Sequence, residues 1–233
     1  MRIRILTNAA ALAEVAADEI AGWLTRHVDR TIGLAGGSTP RLTYELLADR
    51  TVPWEAVHAW MTDERHVPEN HPESNAGMAR RALFDHVPAT LHAVPHNENP
   101  QVAAAGYEEM LRRLLGPTRG GGPQPGLVVL GVGEDGHTAS LFPGSAALEE
   151  NERDFMANWV ADKASWRLTA TLPLLARARR TLFLVSGERK AGVVAEILER
   201  SADLPAAAVH RLARDSVWLL DRAAASALSQ AGT

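Results

Sequence analysis

Four short stretches of the chain combine residue types that core packing does not require. The most informative is Gly131-Val132-Gly133-Glu134-Asp135-Gly136-His137-Thr138-Ala139-Ser140. A histidine two residues from an aspartate, on a glycine-hinged segment that follows the apolar run Leu127–Leu130, suits proton transfer, with His137 moving the proton and Asp135 or Glu134 orienting its ring. The same stretch matches G-x-G-x-x-G, but two acids inside the turn would repel a pyrophosphate. Phe142-Pro143-Gly144 also leaves little room for the long helix that a dinucleotide site needs.

The second stretch, Gly36-Gly37-Ser38-Thr39-Pro40, follows a predicted strand and opens a predicted helix. Two glycines let a ligand approach the backbone, and the first amides of a helix face outward with the positive end of its dipole, so Gly36, Gly37, Ser38 and Thr39 can cradle an oxyanion or a phosphate. A tight turn that needs glycine for its dihedrals explains the pair of glycines equally well. Ser38 is not read as a nucleophile, because the Gly-x-Ser-x-Gly elbow is absent. The third stretch, Asp63-Glu64-Arg65-His66-Val67-Pro68 with Ser74-Asn75 beyond it, packs charge directly after an apolar run. Such charges must be solvated or paired. The fourth comprises Arg167-Leu168-Thr169 and Ser186-Gly187-Glu188-Arg189-Lys190-Ala191. Lys190 falls at a predicted helix start, where a cation opposes the dipole unless an anion lies nearby.

The elements that must position these residues read as alternating short strands and longer helices, the pattern of a mainly parallel sheet covered by helices on both faces. Strands are predicted at 2–6, 31–35, 56–61, 91–94, 127–130, 167–172, 181–185 and 217–220. Helices are predicted at 9–27, from Pro40 with Thr39 as cap, at 74–86, from Asn99-Pro100 to about Leu115, and at 189–200; a packing helix that frays at its end is expected after Asp221. Gly116–Gly126, with five glycines and three prolines, reads as a surface loop. Open sheets of this kind bind ligands at the carboxyl ends of their strands. Three of the four stretches follow a predicted strand, and the fourth overlaps one.

Composition narrows the function classes. With 233 residues, 46% hydrophobic and 22% charged, the chain can bury a sizeable core as one α/β domain over 1–233, with room for a small inserted sub-domain. A formal net charge of −4 gives no footprint for nucleic acid or an anionic membrane, so a phosphate must be caught locally. The absence of cysteine removes disulfides, thiolate metal sites and thiol nucleophiles. The nine histidines show no H-E-x-x-H or similar spacing, and no metal or cofactor is expected. Met1–Leu6 is a short alternating run without the features of a signal peptide, and no later run reaches membrane-spanning length, so a cytoplasmic monomer or small homo-oligomer is expected.

Taken in order, the stretches Gly36–Pro40, Asp63-Glu64-Arg65 with Val67-Pro68 and Ser74-Asn75, Gly131 to Gly144, and Arg167 with Lys190-Ala191 resemble the 6-phosphogluconolactonases, members of a superfamily shared with the glucosamine-6-phosphate deaminases and isomerases. The similarity runs over nearly the whole chain; the third stretch is long and specific, whereas the first and last are weak alone. The resemblance implies a Rossmann-like α/β fold and cofactor-free hydrolysis of 6-phosphoglucono-δ-lactone. It implies that His137 acts as base and that Arg65, Arg167 and Lys190, aided by Ser38 and Thr39, hold the phosphate, with Asp63 among the substrate-binding residues. The deaminase pattern carries a tyrosine where Arg65 stands and an Asn-Glu pair where Leu141-Phe142 stands. Ala164-Ser165-Trp166 departs from the proline-rich stretch common before the lactonase arginine.

Overall fold

The computed structural model describes residues 1–118, 121–200 and 202–229. In chain order the elements are β1 (Arg2–Leu6), α1 (Ala9–Arg26), β2 (Thr31–Leu34), α2 (Ser38–Leu47), β3 (His58–Met61), β4 (Asp63–Arg65), α3 (Asn75–Ala79), β5 (Thr90–His92), α4 (Pro100–Leu114), β6 (Leu127–Leu130), β7 (Phe155–Val160), β8 (Ser165–Ala170), α5 (Leu172–Ala176), β9 (Arg180–Val185), α6 (Ala191–Leu198), α7 (Pro205–Leu212) and β10 (Ser216–Asp221). Seven strands form a wholly parallel sheet in the order β1-β10-β9-β6-β2-β3-β5. A second sheet, β4-β8-β7, is antiparallel.

The apolar pattern explains the main sheet. β2, β6 and β10 are buried along their whole length, as strands covered on both faces must be. One set of contacts joins α1, α2 and the segment after α3, and another joins α5, α6 and α7. The largest buried rings, Trp60, Trp218, Tyr44, Tyr107, Phe155 and Phe183, fill the layers between, with Phe183 stacked on Trp218 at 4.1 Å. Order along the sheet reverses between β2 and β6: the chain moves outward from β2 through β3 to β5, then returns to the other side of β2 as β6. That reversal opens a crevice at the strand ends, the place where such sheets bind ligands.

Several boundaries differ from the sequence reading, each for a local reason. Thr39 does not cap α2; Gly37 does, at φ 106°, and no side chain bonds the helix start, so its first amides stay open. Ser74 does cap the next helix, its Oγ accepting from Gly77 N, but only Asn75–Ala79 is α-helical and Arg80–Phe84 widens into a π turn. Lys190 ends a 3-10 turn, and α6 starts at Ala191. The predicted strand at 167–172 lies at 165–170, because Leu172-Pro173 starts α5. The Asp63–Arg65 segment, beyond the predicted strand at 56–61, is a strand of its own, and β7, α5 and α7 carry no counterpart in the sequence reading.

The tail after Asp221 forms turns rather than a helix through residue 229, since the Asp221 carboxylate takes Ala224 N at 2.7 Å and closes the chain there; residues 230–233 lie outside the described part. The glycine-rich loop is pinned by a Pro117–Pro123 bridge and lines a depression with Arg112, Asp154 and Arg177, away from the crevice; Arg119 and Gly120 lie outside the described residues. Among the described residues, no helix is long and apolar enough to cross a membrane.

Tyr44 links the core to the crevice. Its buried hydroxyl donates to Ala35 O at 3.0 Å and accepts from Ala35 N at 3.1 Å, satisfying both backbone groups of the residue before Gly36. Tyr44→Phe leaves both without that partner and is expected to lower stability by about 1–3 kcal/mol. The measurement is a urea unfolding curve with a lower midpoint at unchanged slope; an unchanged midpoint refutes the link.

Candidate active site

A cleft of about 220 Å³ opens at the β2–β6 reversal, lined among others by Gly36, Gly37, Asp63, Arg65, His137 and Lys190 from the predicted set, and by Asn75. Gly36 and Gly37 arrive on the turn after β2, and His137 on the turn after β6. Asp63 and Arg65 come from β4, which the chain enters one residue after leaving β3. Thr62 makes that switch between sheets: its N donates to Leu34 O at 2.9 Å, while its O accepts from Ala170 N at 2.8 Å.

His137 is held on one side only. Its Nδ1 lies 2.5 Å from Asp135 Oδ1, and its backbone N donates to the same oxygen at 3.1 Å. Partial burial alone would raise the Asp135 carboxyl, but the hydrogen bonds from the His137 ring and backbone outweigh it and hold the carboxyl below its ordinary value. An ionised carboxylate only accepts, so Nδ1 carries a proton, and in the neutral ring the lone pair is on Nε2. Nε2 has no partner among the described residues, and the ring stacks on Phe142 with centroids 4.2 Å apart. Of the two acids considered, Asp135 is therefore the orienting one. Glu134 instead points into an adjoining depression, 3.3 Å from Arg189 Nε.

The loop that carries His137 is clamped by the small sheet. Ser140 N donates to Thr169 Oγ1 at 3.1 Å, Ser140 O accepts from Asn158 Nδ2 at 2.9 Å, and Ser140 Oγ donates to Asp63 Oδ2 at 2.7 Å. One residue from each of β8, β7 and β4 thus grips a single serine. Inside the loop, Gly133 N donates to His137 O at 2.8 Å. A Cβ at Gly133 would lie 2.0 Å from His137 Nδ1 and 2.4 Å from Asp135 Oδ1, so the dyad fits only over glycine.

The cations are gathered without a direct ion-pair partner among the described residues. Arg65 on β4 is the cross-strand partner of Arg167 on β8. Like charges directly opposite each other destabilise a sheet unless something neutralises them. Arg65 donates to Glu73 O at 2.5 Å and Arg167 reaches only Trp166 O at 3.5 Å; neither, nor Lys190, has a carboxylate within ion-pair distance among the described residues. Burial lowers the Arg167 guanidinium from its ordinary value, and Arg65 adds to that. Lys190 is also lowered by burial, opposed by Glu134 and Asp135. Arg65 and Lys190 thus face the cleft as cations without a carboxylate at ion-pair distance among the described residues, with Arg167 paired to Arg65 across the strands.

Not every predicted residue lines the cleft itself. Arg167 stands behind Arg65 and is absent from the lining. Ser38, Thr39 and Glu134 line the adjoining depression of about 310 Å³, which shares Gly36, Gly37 and Lys190 with the cleft. Thr39 Oγ1 is engaged with Ser186 Oγ at 2.7 Å.

Sequence reasoning passed over the group that fixes β4. The Glu64 carboxylate, 3% exposed, accepts from Arg65 N, Ser74 Oγ, Asn75 N and Ala76 N at 2.7–3.0 Å, tying the strand to the start of α3. Burial pushes this carboxyl up, against those four bonds. The Ser74-Asn75 pair in the sequence was its only signal. Gly133→Ala is expected to force the His137 ring off Asp135 and to cost about 1–3 kcal/mol of stability through overpacking. Loss of the hydrogen-bonded Nδ1 proton resonance of His137 is the check; its persistence removes the steric argument.

Comparison with known proteins bears directly on this geometry. Residues 7–218 match the family described as glucosamine-6-phosphate isomerases/6-phosphogluconolactonase. The 6-phosphogluconolactonase of Nostoc is 40% identical over 207 residues, 85% of either chain, and that of Synechocystis 41% identical over 202 residues, 83% of this chain and 82% of the other. Among solved structures, 6-phosphogluconolactonase from Trypanosoma brucei superposes with a TM-score of 0.87 at 29% identity, covering 98% of both chains. A monomeric glucosamine-6-phosphate deaminase, at 23% identity and a TM-score of 0.84, shares the fold. The chain belongs to the glucosamine-6-phosphate isomerase/6-phosphogluconolactonase family.

Proposed function

We propose that the chain hydrolyses 6-phospho-D-glucono-1,5-lactone to 6-phospho-D-gluconate, with no metal ion and with His137 as general base. The observation that carries the reading is the His137 ring, anchored through Nδ1 on Asp135 with Nε2 open, in one cleft with the unpaired cations Arg65 and Lys190. The relatives' named activity supports the substrate. Arg65, and Leu141-Phe142 after the histidine loop, favour the lactonase over its deaminase sibling.

A lactone carbonyl is already electrophilic, so the chemistry needs a positioned water, a base and donors for the oxyanion. His137 Nε2 takes a proton from water as its oxygen bonds to the carbonyl carbon. The tetrahedral oxyanion takes hydrogen bonds from the amides of Gly36 and Gly37, which have no acceptor among the described residues. Collapse breaks the bond to the ring oxygen, and the imidazolium returns its proton to that oxygen. Asp135 steadies the imidazolium in between. Arg65 and Lys190 hold the phosphate, Arg167 strengthens the local field, and Ser38 and Thr39 set the helix start whose amides face it. Asp63, held by Ser140, accepts a sugar hydroxyl.

Among the described residues, no three His, Asp or Glu side chains converge as metal ligands. The test is continuous measurement of proton release from fresh lactone with a chelator present, corrected for spontaneous opening. A rate no greater than background overturns the reading, and a rate that returns only with added metal overturns its metal-free part. His137→Ala is expected to lower kcat about 10²–10⁴-fold. Arg65→Ala or Lys190→Ala should instead act mainly on KM, by about 10–100-fold, the worth of one charge-assisted hydrogen bond.

A further inference from the structure

We propose that the side-chain oxygen of Asn75 accepts a hydrogen bond from one ring hydroxyl of the substrate, making Asn75 a specificity-determining residue of the cleft. The inference rests on the lactonase reading and goes beyond it, because it concerns how the sugar rather than the phosphate or the carbonyl is recognised.

The orientation of the Asn75 amide follows from its neighbours. Nδ2 faces two oxygens that can only accept in this setting, the carbonyl of Asp63 at 3.0 Å and its carboxylate Oδ1 at 3.4 Å. The nitrogen must lie on that side, so Oδ1 lies on the other. There it abuts the turn after β2: a Cβ built on Gly36 would sit 1.9 Å from Asn75 Oδ1. The residue is 3% exposed, yet it lines the cleft, and Oδ1 has no donor among the described residues. A nearly buried acceptor left open toward a cleft is poised for a ligand donor.

The chemistry of the remaining lining points the same way. A polyol presents hydroxyl donors that need acceptors, but the amides of Gly36 and Gly37, the Arg65 guanidinium and the Lys190 ammonium only donate. The carbonyls of Ala35 and Gly131 already accept from Tyr44 Oη and Thr138 Oγ1. His137 Nε2 is committed to water in the reaction proposed. Of the side-chain acceptors in the lining, Asp63 and Asn75 Oδ1 remain, side by side. A purely structural role leaves Oδ1 unexplained: the start of α3 is capped by Ser74 and Glu64, through the backbone N of Asn75 and not its amide oxygen.

The experiment compares the full-length protein with Asn75→Ala and the near-isosteric Asn75→Leu on 6-phosphogluconolactone and its 2-, 3- and 4-deoxy analogues. Circular dichroism confirms folding, and either variant suffices. The wild type is expected to lose about tenfold in kcat/KM on one analogue. The variants should lose a similar factor on the parent lactone and almost nothing further on that analogue, while losses on the other two multiply as for independent groups. If the variants fall by the same factor on all four substrates, or show no change on the parent, the assignment is wrong. Calorimetric binding of 6-phosphogluconate and its deoxy forms gives the same comparison without turnover. A wild type that binds the sugar acid but does not hydrolyse the lactone would therefore end the lactonase reading while still deciding the role of Asn75.

Discussion

The site depends on a single serine held from three strands. Ser140 uses its amide, carbonyl and hydroxyl on Thr169, Asn158 and Asp63, so the loop from the parallel sheet and the face of the antiparallel sheet become one rigid body. The same contact gives the buried Asp63 carboxylate its shortest hydrogen bond and sets where His137 emerges three residues earlier. Isolated, each bond is of ordinary strength; joined on one residue in a dry setting they leave the loop few alternatives.

Around that junction the molecule stores unfavourable electrostatics in a useful place. Arg65 and Arg167 face each other across β4 and β8, and Lys190 stands where a helix dipole repels it, all without carboxylate partners among the described residues. Elsewhere the chain does the opposite: Arg112 and Arg177 converge on the buried Asp154, and Arg180 bonds Asp215 at 2.6 Å. The protein is net negative, so the positive rim of the cleft is a local arrangement made by withholding counter-ions. In the function proposed, a phosphate would supply the missing charge, with no acid at ion-pair distance to compete for those cations among the described residues.

Glycine usage follows the same economy of position. Gly36 makes room for the Asn75 amide and Gly133 for the His137–Asp135 pair, while Gly37 supplies the positive φ that turns the chain into α2. These are contacts between distant segments as much as local turns. A glycine-rich motif read from sequence reports that the backbone is approached closely; only the fold says by what.

Much was legible from the chain alone. The apolar run at 127–130 reads as a buried central strand, 181–185 as a further strand and Asn99-Pro100 as a helix start, and all three form, because these patterns depend on neighbours within a few residues. The clustering of Asp135 and His137 on a glycine-hinged loop was visible for the same reason. The small sheet was not. Of its strands only β8 reads as one, and the segment that carries Asp63 and Arg65 to the cleft has a polar alternation that shows as a strand only once its partners are known. Which acid orients His137 waited on the geometry of the turn that carries both, and which cations face each other waited on the pairing of β4 with β8, because contacts between residues far apart in sequence leave no periodicity behind.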